Sequence, residues 1–170
     1  MVGTSFALAE MKRTKLVTER GASRPASLRG PFGTMHYSDL DQHGKTRVTG
    51  PTGIHGLLKF GPSTPGPLGE VIGLIEESKV VFRYRPWGSV EPGRHAFEIR
   101  YEGAEYVLVS RGRGPTPQLE SSDGKTLAAF GGRRGRASHE LSEEEAVLVA
   151  LIAASGVADV TLPQGWLARN

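Results

Sequence analysis

Apolar and polar side chains alternate with a period of two along much of this chain, the spacing at which successive residues fall on opposite faces of a strand. In residues 79–85, Val80, Phe82 and Tyr84 share one face, and Val81, Arg83 and Arg85 the other. The apolar run 70–75 just before it predicts a neighbouring strand. His95–Tyr101 and residues 104–109 flank Glu102-Gly103. As a two-residue turn, that pair sets Tyr101 opposite Ala104, Ile99 opposite Tyr106 and Phe97 opposite Leu108, which gathers bulky apolar side chains on one face. Residues 118–122 and 125–130 repeat the arrangement around Asp123-Gly124, a pair that accepts positive φ. Residues 35–40 and 45–49 predict a shorter hairpin. From Gly50 to Gly69 the Gly- and Pro-rich chain predicts a surface loop around one apolar piece, 54–60. Residues 1–24 read as a partly flexible N-terminal arm, with 14–19 an edge strand or an ordered part of that arm; 25–170 read as a single β-rich domain.

One helix is predicted, over about 143–155. Ser142-Glu-Glu-Glu145 has the form of a capping box, and acidic residues in a first turn suit the helix dipole. The run 146–154 has no polar face, and Ser155-Gly156 supplies a stop. A helix apolar around its whole circumference needs enclosure on nearly all sides. The predicted fold class is therefore mainly β with one buried C-terminal helix, an antiparallel meander closing into a barrel around that helix. An open sheet or sandwich with the helix packed on one face is the alternative.

Composition narrows the picture in three ways. The 170 residues include 23 Gly and 11 Pro, which favours many turns over long helices. There is no cysteine, so disulfides and thiolate chemistry are excluded and a reducing compartment fits best. A formal net charge of +3 is too small to demand a polyanionic partner unless the basic residues cluster. The short apolar run near the N-terminus precedes Lys12, Arg13 and Lys15, the reverse of a secretory signal, and 146–154 is shorter than the roughly 20 residues of a membrane span. A soluble, cytoplasmic protein is expected, at most peripheral to a membrane.

The succession of meandering strands, the Asp123-Gly124 hairpin followed by Leu127-Ala-Ala, and Glu140-Leu-Ser-Glu-Glu-Glu before a wholly apolar C-terminal helix resembles the tubby-like barrel superfamily, which includes the LURP-one-related and phospholipid-scramblase-like proteins. The resemblance covers about residues 71–160 and implies a strand barrel around a C-terminal helix. The Gly- and Pro-rich region 1–69 departs from the pattern, and no phosphoinositide- or calcium-binding motif of the family is matched, so no functional residue is carried over.

Basic residues cluster at Arg111 and Arg113, and at Arg133, Arg134 and Arg136, with Arg83, Arg85 and Arg100 on the wet faces of neighbouring strands. Arginine forks onto phosphate, so Arg83, Arg85, Arg111, Arg113, Arg133, Arg134 and Arg136 form a candidate anion-binding set. Solvated turns partly neutralised by the acidic stretch 140–145 are the plainer account of the same residues. No aromatic ladder interleaves with them, which argues against nucleic acid. His36, His43, His55, His95 and His139 lack metal-ligand spacing, and Asp39 and Asp41 near His43 suit an Asx turn as well as an acid/base group. There is no GxSxG, P-loop or GxGxxG fingerprint, so no catalytic residue, metal or cofactor is assigned. Trp87 and Trp166 suit either a plug at the barrel end or an interface. Three functions follow: a non-enzymatic binding or scaffold domain meeting an anionic lipid surface or a protein partner; a small enzyme or metabolite-binding protein with a pocket between the 50–69 loop and His95; or a structural subunit of a larger assembly.

Overall fold

The structure, a computed structural model, describes residues 15–20, 25–38, 46–58, 70–86, 95–110, 117–131 and 134–155. These form twelve strands and one helix. The strands are β1 (Lys15–Arg20), β2 (Pro25–Gly30), β3 (Gly33–Tyr37), β4 (Thr46–Thr49), β5 (His55–Leu58), β6 (Glu70–Ile75), β7 (Ser78–Pro86), β8 (His95–Tyr101), β9 (Ala104–Ser110), β10 (Pro117–Ser121), β11 (Thr126–Gly131) and β12 (Arg134–Ala137). Each pairs antiparallel with its neighbours in sequence, and β1 also pairs with β12, so the meander closes into a barrel. The helix α1 (Glu143–Ser155) follows β12.

Width explains why the barrel needs the helix. Eight strands make an interior that side chains alone can fill; twelve make a wider one. The helix supplies the missing filling: every residue from Ala146 to Ile152 is no more than 2% exposed, almost two turns with no wet side. It lies closest to β4, β5 and β6. There Gly56 and Gly73 face inward without a side chain: Val147 and Leu151 occupy the space a Cβ would take at Gly56, and at Gly73 a Cβ would crowd the Leu57 carbonyl oxygen. The wall formed by β7–β10 carries larger inward groups, Phe82, Phe97, Ile99, Leu108 and Leu119, all fully buried. Tyr37 donates its hydroxyl hydrogen to the Ala150 carbonyl at 2.7 Å, tying β3 to the helix.

The expected capping box is present: the Glu145 amide donates to Ser142 Oγ at 3.1 Å, and the Ser142 amide to Glu145 Oε1 at 3.0 Å. Glu102 and Gly103 have φ of 48° and 80°, a two-residue turn that holds the expected register through Phe97 and Leu108.

Four expectations change. Asp123-Gly124 is not a two-residue turn of that kind. Only Gly124 has positive φ, the Gly124 amide donates to the Ser121 carbonyl at 3.0 Å, and the register of β10 and β11 shifts at a bulge. Within the expected loop 50–69, residues 55–58 are the barrel strand nearest the helix. Residues 134–136, read as part of an arginine-rich turn, belong to β12. The stretch 15–20 is no edge strand, being paired on both sides.

The antiparallel order assigns each connection to one end of the barrel. Short turns at 31–32, 76–77 and 102–103, and the 138–142 connection into α1, share the end where the helix enters. The connections 39–45, 59–69, 87–94, 111–116 and 132–133 join strands at the other end and lie outside the described residues.

Candidate functional site

Barrel closure places side by side two basic stretches more than one hundred residues apart. Lys15 on β1 stands directly opposite Arg136 on β12, and both are exposed. Two residues along, half-buried Val17 is opposite Arg134 on one side and Arg29 on the other, and Arg29 is exposed. The next register positions outward are Ala129, opposite Arg136, and Thr34, opposite Arg29. Three adjacent strands therefore carry four cationic residues around one valine, and the carboxylate of this register is Glu19, two residues past Val17 on the same face of β1 and opposite Ser27. Like charges directly opposite each other on a sheet repel, and Lys15 and Arg136 are such a pair.

The other strand-borne candidates stand in a different setting. Arg83 on β7 lies between Glu70 and Glu98 in the register, and Arg100 is opposite Glu105, with Nε 3.4 Å from Oε1. This is an alternating ladder of charges that compensates itself across β6–β9. Arg85 is at the register position opposite Ala96. Five strand spacings separate β7 from β12, roughly 24 Å along the sheet. Arg83 and Arg85 therefore do not share a patch with Arg134 and Arg136. Arg111, Arg113 and Arg133 lie outside the described residues, as do Asp39, Asp41, His43, Trp87 and Trp166.

Lys15 and Arg29 are the residues that sequence reading missed. Nothing local marks either one; the signal would have been the alternation of Arg134 and Arg136 with Gly135 and Ala137, which is a strand pattern in need of a partner. Gly135 disguised it. A Cβ there would meet the Ala129 carbonyl oxygen of β11, so the glycine serves close strand approach rather than a turn.

The acidic stretch 140–145 does not neutralise the basic face through the contacts seen. Glu140 accepts from Lys125 Nζ at 3.0 Å, each holding the other's charged form, so that the Glu140 carboxyl is lowered and the Lys125 ammonium raised. Glu145 closes the capping box. The carboxylates gather instead at the helix-entry mouth, where two tyrosines register them. Burial is the first cause that raises Tyr101 and Tyr106; the charges of Glu144 and Glu102 add to it at Tyr101, and those of Glu145 and Glu144 at Tyr106.

The described part of the 50–69 loop that forms a turn, 50–54, sits at this helix-entry end, whereas His95 begins β8 at the other. The remainder of that loop, 59–69, lies outside the described residues. Among the described residues no three His, Asp or Glu side chains converge as a metal cage, and no helix is long and apolar enough to cross a membrane. Compared with known proteins, the chain matches no family model, no curated protein and no solved structure.

Proposed function

We propose that this chain is a binding domain that uses the outer face of β12, β1 and β2 to contact an anionic lipid surface. The observation that carries the reading is the Lys15–Arg136 pairing, with Arg134 and Arg29 on either side of Val17. Guanidinium forks match phosphate oxygens bidentately, and a half-buried aliphatic residue at their centre offers an apolar contact beneath the headgroups. The interior favours an external site, because helix side chains no more than 2% exposed take up the space a twelve-stranded barrel would otherwise enclose. A tubby-like barrel architecture is part of the same reading, supported by the order of elements: a closed antiparallel meander and then an apolar helix threaded through it.

The test is co-sedimentation with vesicles containing phosphatidylserine, against vesicles of phosphatidylcholine alone. Each Lys or Arg near an anionic membrane contributes about 1 kcal/mol, a factor of roughly five. K15Q/R136Q is therefore expected to weaken binding about 25-fold, R83Q less than twofold, and added salt to weaken all of it. Equal binding to neutral vesicles, or a double variant that binds like the parent chain, refutes the reading.

A further inference from the structure

The wall formed by β5, β6 and β7 stands on the side of the barrel away from β12, β1 and β2. Gly56 and Leu58, Gly73 and Ile75, and Val80 and Phe82 are buried and face the helix. Alternation therefore points Leu57, Ile72, Leu74 and Val81 outward, and each of them is only half-buried. The register makes the four one patch: Leu57 is opposite Leu74, Ile72 is opposite Val81, and Ile72 and Leu74 are neighbours on one face of β6. Aliphatic groups left half in water gain from being covered. Val81 is also the floor of a shallow hollow of about 190 Å³ between Arg83, Glu98 and Arg100, a recess at one edge of the patch.

Charge selects what can cover it. Across β4 to β7 one row reads Arg47, Leu57, Leu74, Lys79, with both cations exposed. Among the described residues neither Arg47 nor Lys79 has a carboxylate within salt-bridge distance, whereas Arg100 has Glu105. The carboxylates nearest to the row are accounted for in the fold: Glu70, two residues from Ile72, is opposite Arg83, and Glu102, in the turn beside Lys79, accepts from Ser78 Oγ at 2.6 Å. Glu77 lies in the 76–77 turn at the helix-entry end. A second copy of this chain is a poor complement. A two-fold axis along the strands would set Arg47 of one copy against Lys79 of the other, and an axis across the strands would set each cation against itself. A helix with acidic ends is a good one. Leu57 and Leu74 are one strand spacing apart, about 4.8 Å, close to the roughly 5–6 Å between side chains three or four positions apart on a helix. Arg47 and Lys79 are three spacings apart, about 14 Å, the rise of nine or ten helical residues.

We propose that this wall docks an acidic amphipathic helix of another protein. The helix lies across the strands, with aliphatic residues at i, i+3 and i+4 over Leu57, Leu74 and Ile72 and carboxylates near its two ends on Arg47 and Lys79. The proposal concerns the wall remote from the anionic-lipid face and stands or falls separately from that reading.

The probe is a labelled helical peptide of about fifteen residues, the length at which an isolated helix begins to hold, with Leu at i, i+3, i+4 and i+7 and Glu in its first and last turns. In fluorescence anisotropy it is expected to bind the full chain saturably. Binding should weaken about tenfold in R47E/K79E, and about tenfold when Ser replaces Leu in the peptide. A peptide with Lys in place of Glu should prefer R47E/K79E to the parent chain, a reversal that a misfolded variant cannot produce. K15Q/R136Q, altered on the far wall, should bind the acidic peptide like the parent. The proposal is overturned by no binding of the acidic peptide, by equal binding to the parent and R47E/K79E, or by indifference to the loss of leucine, which would leave charge attraction alone. Other occupants have their own signatures, and each also overturns it. A dimer in sedimentation equilibrium that L57S/L74S dissolves would make a second copy the occupant. R47Q/K79Q losing as much binding to phosphatidylserine vesicles as K15Q/R136Q would make this wall a membrane face.

Discussion

At Gly56 there is no room for a methyl group, since a Cβ would lie 2.6 Å from Val147 Cγ1 and 3.2 Å from Leu151 Cδ2. Because the neighbours belong to an enclosed helix, they yield only by moving it, and overpacking of that kind costs roughly 1–3 kcal/mol. G56A is therefore expected to lower the unfolding free energy by that amount in a denaturant titration. In a double-mutant cycle, V147A should recover part of the loss, with a coupling above about 0.5 kcal/mol. Additive effects would mean that the helix does not press on β5. Tyr37 is the polar counterpart. Burial raises its hydroxyl above the ordinary value of 10.0, because the phenolate cannot be solvated beside the helix. The folded state thus holds a proton that the unfolded chain releases above about pH 10, so this contribution is fully present below that pH and is lost as the pH rises past it. Y37F should cost roughly 0.5–1.5 kcal/mol at neutral pH through loss of the bond to Ala150, and should flatten the alkaline fall in stability relative to the parent chain. Alkaline unfolding curves of identical slope in the two proteins would assign that fall to other groups.

The helix begins where two reciprocal hydrogen bonds satisfy amides that would otherwise have no acceptor, and S142A removes the acceptor for Glu145. The expected loss is about 1 kcal/mol in chemical denaturation, whereas S142T, which keeps a hydroxyl, should lose less than half as much. A neutral S142A would mean that barrel enclosure alone sets the helix boundary. This cap was legible in the sequence because its chemistry is local, and the same holds for the β8–β9 hairpin, where turn residues and alternation agree on one register. The elements that were not legible are those whose reasons lie elsewhere in the fold. In β5, Gly56 looks like loop composition, yet it is glycine because Val147 stands against it. In β12, Gly135 looks like a turn because the carbonyl of Ala129 is invisible from the local sequence. The strand β2 has little alternation and a proline at its start. The basic face was half legible for a related reason: Arg134 and Arg136 stood out as a cluster, while Lys15 and Arg29 join them only when the barrel closes.

Closure at the scale of the molecule depends on one strand. β1 is the sole link between β12 and β2, and its register covers only Lys15, Leu16 and Val17 on the β12 side. Without it the meander would run from β2 to β12 as an open sheet with two unpaired edges, each a template for pairing with another chain. The apolar helix would then lie beneath a slot about two strand spacings wide, close to 10 Å. Deletion of residues 1–24 is therefore expected to convert the protein into one that associates in light scattering at micromolar concentration and unfolds over a broadened transition. Deletion of residues 1–14 alone, which spares β1, should leave a closed barrel with the parent's cooperativity. The two deletions isolate the part played by β1, since only the longer one removes the six residues that complete the wall. A monomeric 25–170 fragment with an unchanged transition would show that β2 and β12 meet each other directly, and the cationic pairing of Lys15 with Arg136 would then be dispensable to the fold.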